Sequence, residues 1–213
     1  MLFTLLLAHA LPADPLPETT APKTAAGAEI AFARAAQTDG QWTAFRAFAL
    51  PGGLMFSPDP VPIEEAIKDL KDPPVAIQWW AADSYVACDG SLAVNTGPWL
   101  RRNGANGYFT TVWERQKAGG WKWSVDGGDG LAKPRAARDK AATHRAACQG
   151  KPGTAPATTF ADGKTGDGVS QDRTLAWRWH VAPDGARSFD AWLWDGRTMR
   201  SVIADRIAAP PKG

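Results

Sequence analysis

The chain has 213 residues, a net charge of +2 and no run of basic residues, which argues against nucleic-acid binding through phosphate neutralisation. A hydrophobic fraction of 44% and eleven tryptophans supply enough apolar area for one generous domain, or one domain with an appendage. No stretch is apolar over the length that a membrane-spanning helix needs, so stable membrane insertion is not expected.

Residues 1–10, MLFTLLLAHA, form a short apolar run ending in the small-x-small pattern Ala8-His9-Ala10. That pattern reads as a secretory signal peptide; the positive leading charges of such signals are missing, and the alternative is an uncleaved apolar N-terminus. Export would place the protein in the periplasm or outside the cell. Residues 11–24, rich in Pro, Ala and Thr, read as a disordered linker.

Helical spacing begins near Ala25, where Ile30, Phe32, Ala33 and Ala36 cover one side of a first helix that stops at Asp39-Gly40. Asp39 is the expected cap of a second helix, in which Trp42, Phe45 and Phe48 recur at three-residue steps before Pro51-Gly52-Gly53. Leu54–Ser57 reads as a short strand. Pro62 suits the first position of a third helix, Ile63–Leu70, closed by Asp72-Pro73-Pro74.

From Val75 to about Gly127 the chain reads as an antiparallel meander. Asp89-Gly90, Asn103-Gly104 and Gly119-Gly120 can take the positive φ of hairpin turns, and the runs between them are rich in Val, Thr, Trp, Tyr and Phe. Two-residue turns would set Tyr85 opposite Val94, Trp80 opposite Trp99, Trp99 opposite Tyr108 and Thr96 opposite Thr111. Side chains alternate across a strand, so this register sorts them into two faces. One carries Trp79, Asp83, Tyr85, Val94, Thr96, Phe109, Thr111, Trp113, Ser124 and Asp126. The other carries Trp80, Val86, Cys88, Ala93, Trp99, Tyr108, Val112, Trp121, Trp123 and Val125. The first face mixes aromatics, hydroxyls and two carboxylates, as small-molecule pockets do.

After Asp129 the composition shifts. Leu131–Cys148, rich in Ala, Arg and Lys, suggests a helix, and Gln149–Asp172 a low-complexity loop. Thr174–Val181, Ser188–Gly196 and Met199–Ile207 read as three strands. Three short strands are marginal alone, so they are expected to dock on the greasy second face of the meander, over Trp80, Trp99, Trp121 and Trp123. The pattern as a whole is α+β.

The segments AFALPGGLMFSPDPV and CDGSLAVNTGPW…GYFTTVWERQ…GWKWSVDGGDG resemble the nuclear transport factor 2-like superfamily, in its SnoaL-like branch and related bacterial domains of unknown function. The resemblance covers residues 25–130 and implies a cone: a bent antiparallel sheet packed on N-terminal helices, with a pocket at the open end. Residues 131–213 would be a β-rich extension. It also implies that Thr111 and Trp113 point to the pocket. Members include ketosteroid isomerase, scytalone dehydratase, polyketide cyclases and binding modules without activity. Many dimerise through the outer sheet face, which leaves a homodimer open here unless the extension covers that face.

Cys88 and Cys148 suggest a disulfide if the protein is exported, or two separate thiols if it is not. No metal site is expected: His9 lies in the leader, and His144 and His180 have no partner at ligand spacing. Asp162, Asp167 and Asp172 lie in a Gly-rich loop without the oxygen ligands or closing Glu of a calcium loop. Nucleophile and phosphate-loop motifs are absent, and no cofactor is indicated.

Asp126 and Asp83 are the catalytic candidates. A carboxylate among aromatics would be desolvated and its pKa raised, as a general base requires, with Tyr85 a donor to a developing oxyanion. The alternative for Asp126 is a structural cap on the turn at Gly127-Gly128. The expected ligand set is Trp79, Tyr85, Thr96, Thr111, Trp113 and Asp126. Three functions follow: a module binding a small apolar or aromatic molecule, an isomerase- or dehydratase-like enzyme, and a structural module whose pocket is filled by its own side chains. Arg34, if it reached the pocket, would favour an anionic ligand.

Overall fold

The computed structural model describes residues 21–135 and 138–211. The signal-peptide expectation, and the linker expectation up to residue 20, lie outside the described residues. Helix α1 (Ala25–Thr38) is alanine-rich and is started by Thr24, whose Oγ1 accepts the Gly27 N–H at 3.0 Å. Its buried stripe is Ala25, Ala28, Glu29, Phe32 and Ala36; Ile30, expected inside, is half exposed. Helix α2 (Gln41–Phe48) is not capped by Asp39. Asp72 comes in from the distant turn, with Oδ1 accepting from the N–H groups of Trp42 and Thr43 and Oδ2 from the Thr43 hydroxyl. Gly40 makes room for it, since a Cβ there would lie 2.4 Å from that carboxyl. Helix α3 (Ile63–Ala66) is a single turn rather than the two expected. Beyond it the chain tightens into three-residue hydrogen bonds, and Ile67 O accepts from the Arg46 guanidinium at 2.6 Å.

The first sheet holds β1 (Ala49–Phe56), β2 (Pro60–Pro62), β3 (Gln78–Trp79), β4 (Asp83–Val86), β5 (Leu92–Leu100), β6 (Asn106–Arg115), β7 (Trp121–Gly130) and β8 (Ala142–Arg145). It is open and curved, ordered β2-β1-β7-β6-β5-β4-β8, with β3 paired to the far end of β5. Most neighbours are antiparallel; β1 with β7 and β4 with β8 are parallel. Strand β1 starts directly after α2 and runs through Pro51-Gly52-Gly53 with a register shift, where a helix stop and a later, shorter strand were expected. Strand β8 replaces part of the helix expected in 131–148: the chain there meets the open edge of β4 and pairs with it.

A second sheet, β12-β11-β10-β9, is formed by β9 (Lys164–Val169), β10 (Leu175–Val181), β11 (Arg187–Trp194) and β12 (Met199–Ile207). Its last three strands match the sequence pattern. Strand β9 lies where a loop was expected, because Gly166 and Gly168 read as loop signals. Both sit under indole rings of β10: a Cβ at either would come within 2.6 Å of Trp179 or Trp177. They are glycines because tryptophans cover them.

The faces of the first sheet are not those expected. Tyr85 does pair with Val94. At the next reversal, however, Arg101 N–H bonds to Ala105 O, Gly104 N–H bonds to Arg101 O, and Gly104 has φ +84°. That loop is longer than a two-residue turn and shifts the pairing by one, so Thr96 faces Thr110 rather than Thr111, and Trp99 faces Gly107 rather than Tyr108. On the other edge of β5, Trp99 pairs with Trp79, not Trp80. A bulge on β7 inserts Ser124 between Trp123, paired with Trp113, and Val125, paired with Val112. It brings Trp123 and Asp126 to one face.

Trp79, Val86, Ala93, Phe109, Trp113, Trp121 and Trp123 therefore share a buried cluster with residues of α1 and α2. Leu92, Val94, Val112 and Val125 share another with Leu175, Trp179, Val181, Phe189 and Ala191 of the second sheet. The extension docks on this aliphatic face, not over Trp99, Trp121 and Trp123, and Trp80 is 40% exposed. A disulfide joins Cys88 to Cys148. Next to it, Asp172 accepts the Asp89 N–H at 2.7 Å and Asp89 accepts the Asp172 N–H at 2.9 Å, so the β4–β5 turn and the β9–β10 turn clasp each other.

Candidate ligand cavity

A cavity of about 260 Å³ opens between α1, α2 and the end of the first sheet where β7 runs past β6. The three-residue repeat in α2 puts Trp42 and Phe45 on the side facing it, and Phe32 of α1 meets Phe45 and Trp79 at ring separations of 4.8 Å. Trp79 comes from β3, Trp99 from β5, Tyr108 and Phe109 from β6, and Met55 and Phe56 from β1. On β7, Gly127, Gly128 and Gly130 carry no side chains, so main chain forms that wall. Three charged groups line the space: Asp126, Asp129 and Arg101. Arg101 lies over the Trp99 ring at 5.6 Å, and Asp129 Oδ1 accepts the Gly130 N–H.

Asp126 sits in the wall opposite Thr111, whose hydroxyl donates to Oδ1 at 2.6 Å. Oδ2 has no hydrogen-bond partner among the described residues, and no Lys or Arg among them pairs with this carboxylate. Burial raises its pKa to about 6, against the lowering effect of the Thr111 hydrogen bond.

Glu29 stands on α1, one turn before Phe32, and is 1% exposed. Its Oε1 accepts the Trp79 indole N–H at 2.9 Å; its Oε2 accepts the Trp113 indole N–H at 2.7 Å and the Asn95 amide at 3.2 Å. Burial pushes its pKa up to about 7, the nearby Asp126 carboxyl adds to the rise, and the three donors pull it down. Glu29 does not line the cavity. It holds the Trp79 indole that does, and it places a second carboxyl near Asp126.

Of the expected ligand set, Trp79 and Asp126 line the cavity. Thr111 lies behind Asp126, and Trp113 is fully buried against Glu29. Thr96 and Tyr85 face the other way: Thr96 donates to Phe109 O, and the Tyr85 ring stacks on His144 at 4.9 Å. Asp83, the other catalytic candidate, is on that side too, 2.9 Å from His144 Nε2. The one-residue shift at Arg101–Ala105 accounts for all three. Arg34 lines a separate groove beside Trp80.

The glutamate was missed by sequence reasoning. Its signal was present: the spacing 25–28–29–32–36 is as good a helical stripe as the one through Ile30, but it contains a carboxylate, which an apolar-face criterion passes over. Among the described residues, no three His, Cys, Asp or Glu side chains are placed to share a metal ion, and no helix is long and apolar enough to cross a membrane. Set against known proteins, the chain matches no family model and no curated protein.

Proposed function

We propose that this protein is an exported binding module of the nuclear transport factor 2-like type, which holds a small apolar or aromatic molecule in the cavity beside Asp126. The supporting observation is the cavity wall: aromatic rings and bare main chain around one carboxylate oxygen that has no partner among the described residues. Export is supported by the disulfide, which persists in oxidising compartments, together with the N-terminal sequence pattern. The cone assignment rests on the sequence motifs, the order of three helices before an antiparallel meander, and the open curvature of the sheet.

Native mass spectrometry of the protein purified from its own exported fraction, with and without reductant, tests this reading. The expected result is a mass increment that disappears on denaturation. A ligand-free spectrum, with no binding after a panel of aromatic compounds, would favour the third reading, in which Trp113 and Trp123 fill the interior and the cavity has no occupant.

The enzyme reading draws on one observation, the raised pKa of Asp126, which suits a base that takes a proton near neutral pH. It is less well supported than binding, because the hydroxyl expected to stabilise a developing oxyanion, that of Tyr85, stands on the far side of the sheet. Turnover of a carbonyl substrate that Asp126→Asn abolishes without loss of binding would reverse this ranking.

A further inference from the structure

The charge arrangement narrows the ligand class, on the assumption that the cavity binds a small molecule as proposed above. The Asp126 oxygen without a partner is acceptor-only when ionised, and it stands among rings whose π faces are themselves electron-rich. The titratable and charged groups around it are few. From α1 comes the Glu29 carboxyl, and from the turn after β5 comes Arg101, which lies over Trp99; Asp129 and Tyr108 pair with each other and turn to the opposite face of the sheet, where Arg135 lies over the Tyr108 ring at 3.9 Å. The helix α2 and strand β1 contribute only neutral side chains to the wall. Two carboxyls, Asp126 and Glu29, thus stand against one guanidinium, and they repel each other with no cation between them among the described residues. A neutral aromatic would leave that repulsion unrelieved, and an anion would add to it.

We propose that the cavity selects a small organic cation, an aromatic amine whose ring lies among Phe32, Phe45 and Trp79 and whose ammonium bonds to Asp126 Oδ2. A buried apolar cavity of about 150 Å³ accepts benzene. The 260 Å³ here therefore suits one ring with a short arm that ends in the charged group.

The test is a set of three isosteric probes, phenethylamine, phenethyl alcohol and phenylacetate, titrated into the full chain with its disulfide intact and followed by calorimetry and tryptophan fluorescence. At pH 8 the amine is expected to bind about tenfold tighter than the alcohol, the factor that an ion pair with cation–π contact in a partly desolvated site gives. The preference is expected to shrink between pH 7 and pH 5, where Asp126 and Glu29 take up protons while the amine stays charged. In Asp126→Asn the amine and the alcohol are expected to bind within about twofold of each other. Equal binding of amine and alcohol by the unmutated protein would overturn the cation proposal and leave the binding reading intact, as would a preference for phenylacetate. Failure of all three probes at millimolar concentration would overturn the binding reading itself. If Asp126→Asn does not fold, the pH profile of the unmutated protein decides, because an amine preference that stays constant from pH 8 to pH 5 excludes a titrating carboxylate as the recognition group.

Discussion

Glu29 offers the sharpest test of the interior, because two large effects on it oppose each other. Burial disfavours its charge; three N–H donors favour it. With burial dominant, its pKa in the fold is about 7 against an ordinary 4.5. A raised acid contributes its full stability below the ordinary value and loses it as pH climbs through the folded value, so the window is pH 4.5 to 7 and somewhat above. The loss at high pH is about 3 kcal/mol from this shift. Glutamine has the shape of the protonated acid, but only its oxygen can accept: its NH2 meets an indole N–H as a second donor, a pH-independent cost of about 1–3 kcal/mol. Relative to the parent, Glu29→Gln is therefore expected to gain about 3 kcal/mol between pH 4 and pH 9, or roughly 6–12 °C in Tm. Urea unfolding followed by tryptophan fluorescence, run at several pH values with the disulfide intact, measures the difference directly. Asp126 titrates in both proteins, so its own contribution largely cancels. A difference between variant and parent that does not change with pH would refute the reasoning, because the donors would then outweigh burial and the carboxylate would be ionised throughout.

Two further outcomes concern the joint between the sheets. The disulfide spans 60 residues, a closure worth roughly 4 kcal/mol in the chain-entropy account; the Cys88→Ser, Cys148→Ser pair should unfold at correspondingly lower denaturant, and an unchanged midpoint would mean that the bridge constrains nothing. Leu175 is fully buried between β10 and the first sheet, so Leu175→Ala is expected to cost about 2–5 kcal/mol in the same assay. A loss below about 1 kcal/mol would show that the inter-sheet core is not close-packed.

The local signals were legible wherever the physics is local. Alanine content and Thr24 specify α1, aromatic spacing sets the face of α2, and alternation with Pro-Asp-Gly and Asp-Gly turns marks β10, β11 and β12. The site was half legible. Asp126, Thr111, Trp113, Phe109 and Trp79 were grouped correctly, whereas Asp83, Tyr85 and Thr96 were grouped with them in error. For these three the cause is one turn: Asn103-Gly104 is compatible with a two-residue hairpin and with the longer loop that forms, and the two differ by one residue of register; Trp79 escapes because a second register change, between β3 and β4, pairs it with Trp99. A period-two structure converts that single residue into a complete exchange of faces.

The sequence by itself determined the α+β class, the meander and a carboxylate on an aromatic strand face, because propensity, alternation and turn chemistry act over a few residues. Tertiary structure alone decided which face meets the helices, why Asp72 caps a helix 30 residues earlier in the chain, and why β9 needs glycines. It also decided that Glu29 lies buried beneath two indoles. Each of these depends on partners distant in sequence, and the free energy of a buried charge is set by what surrounds it in space.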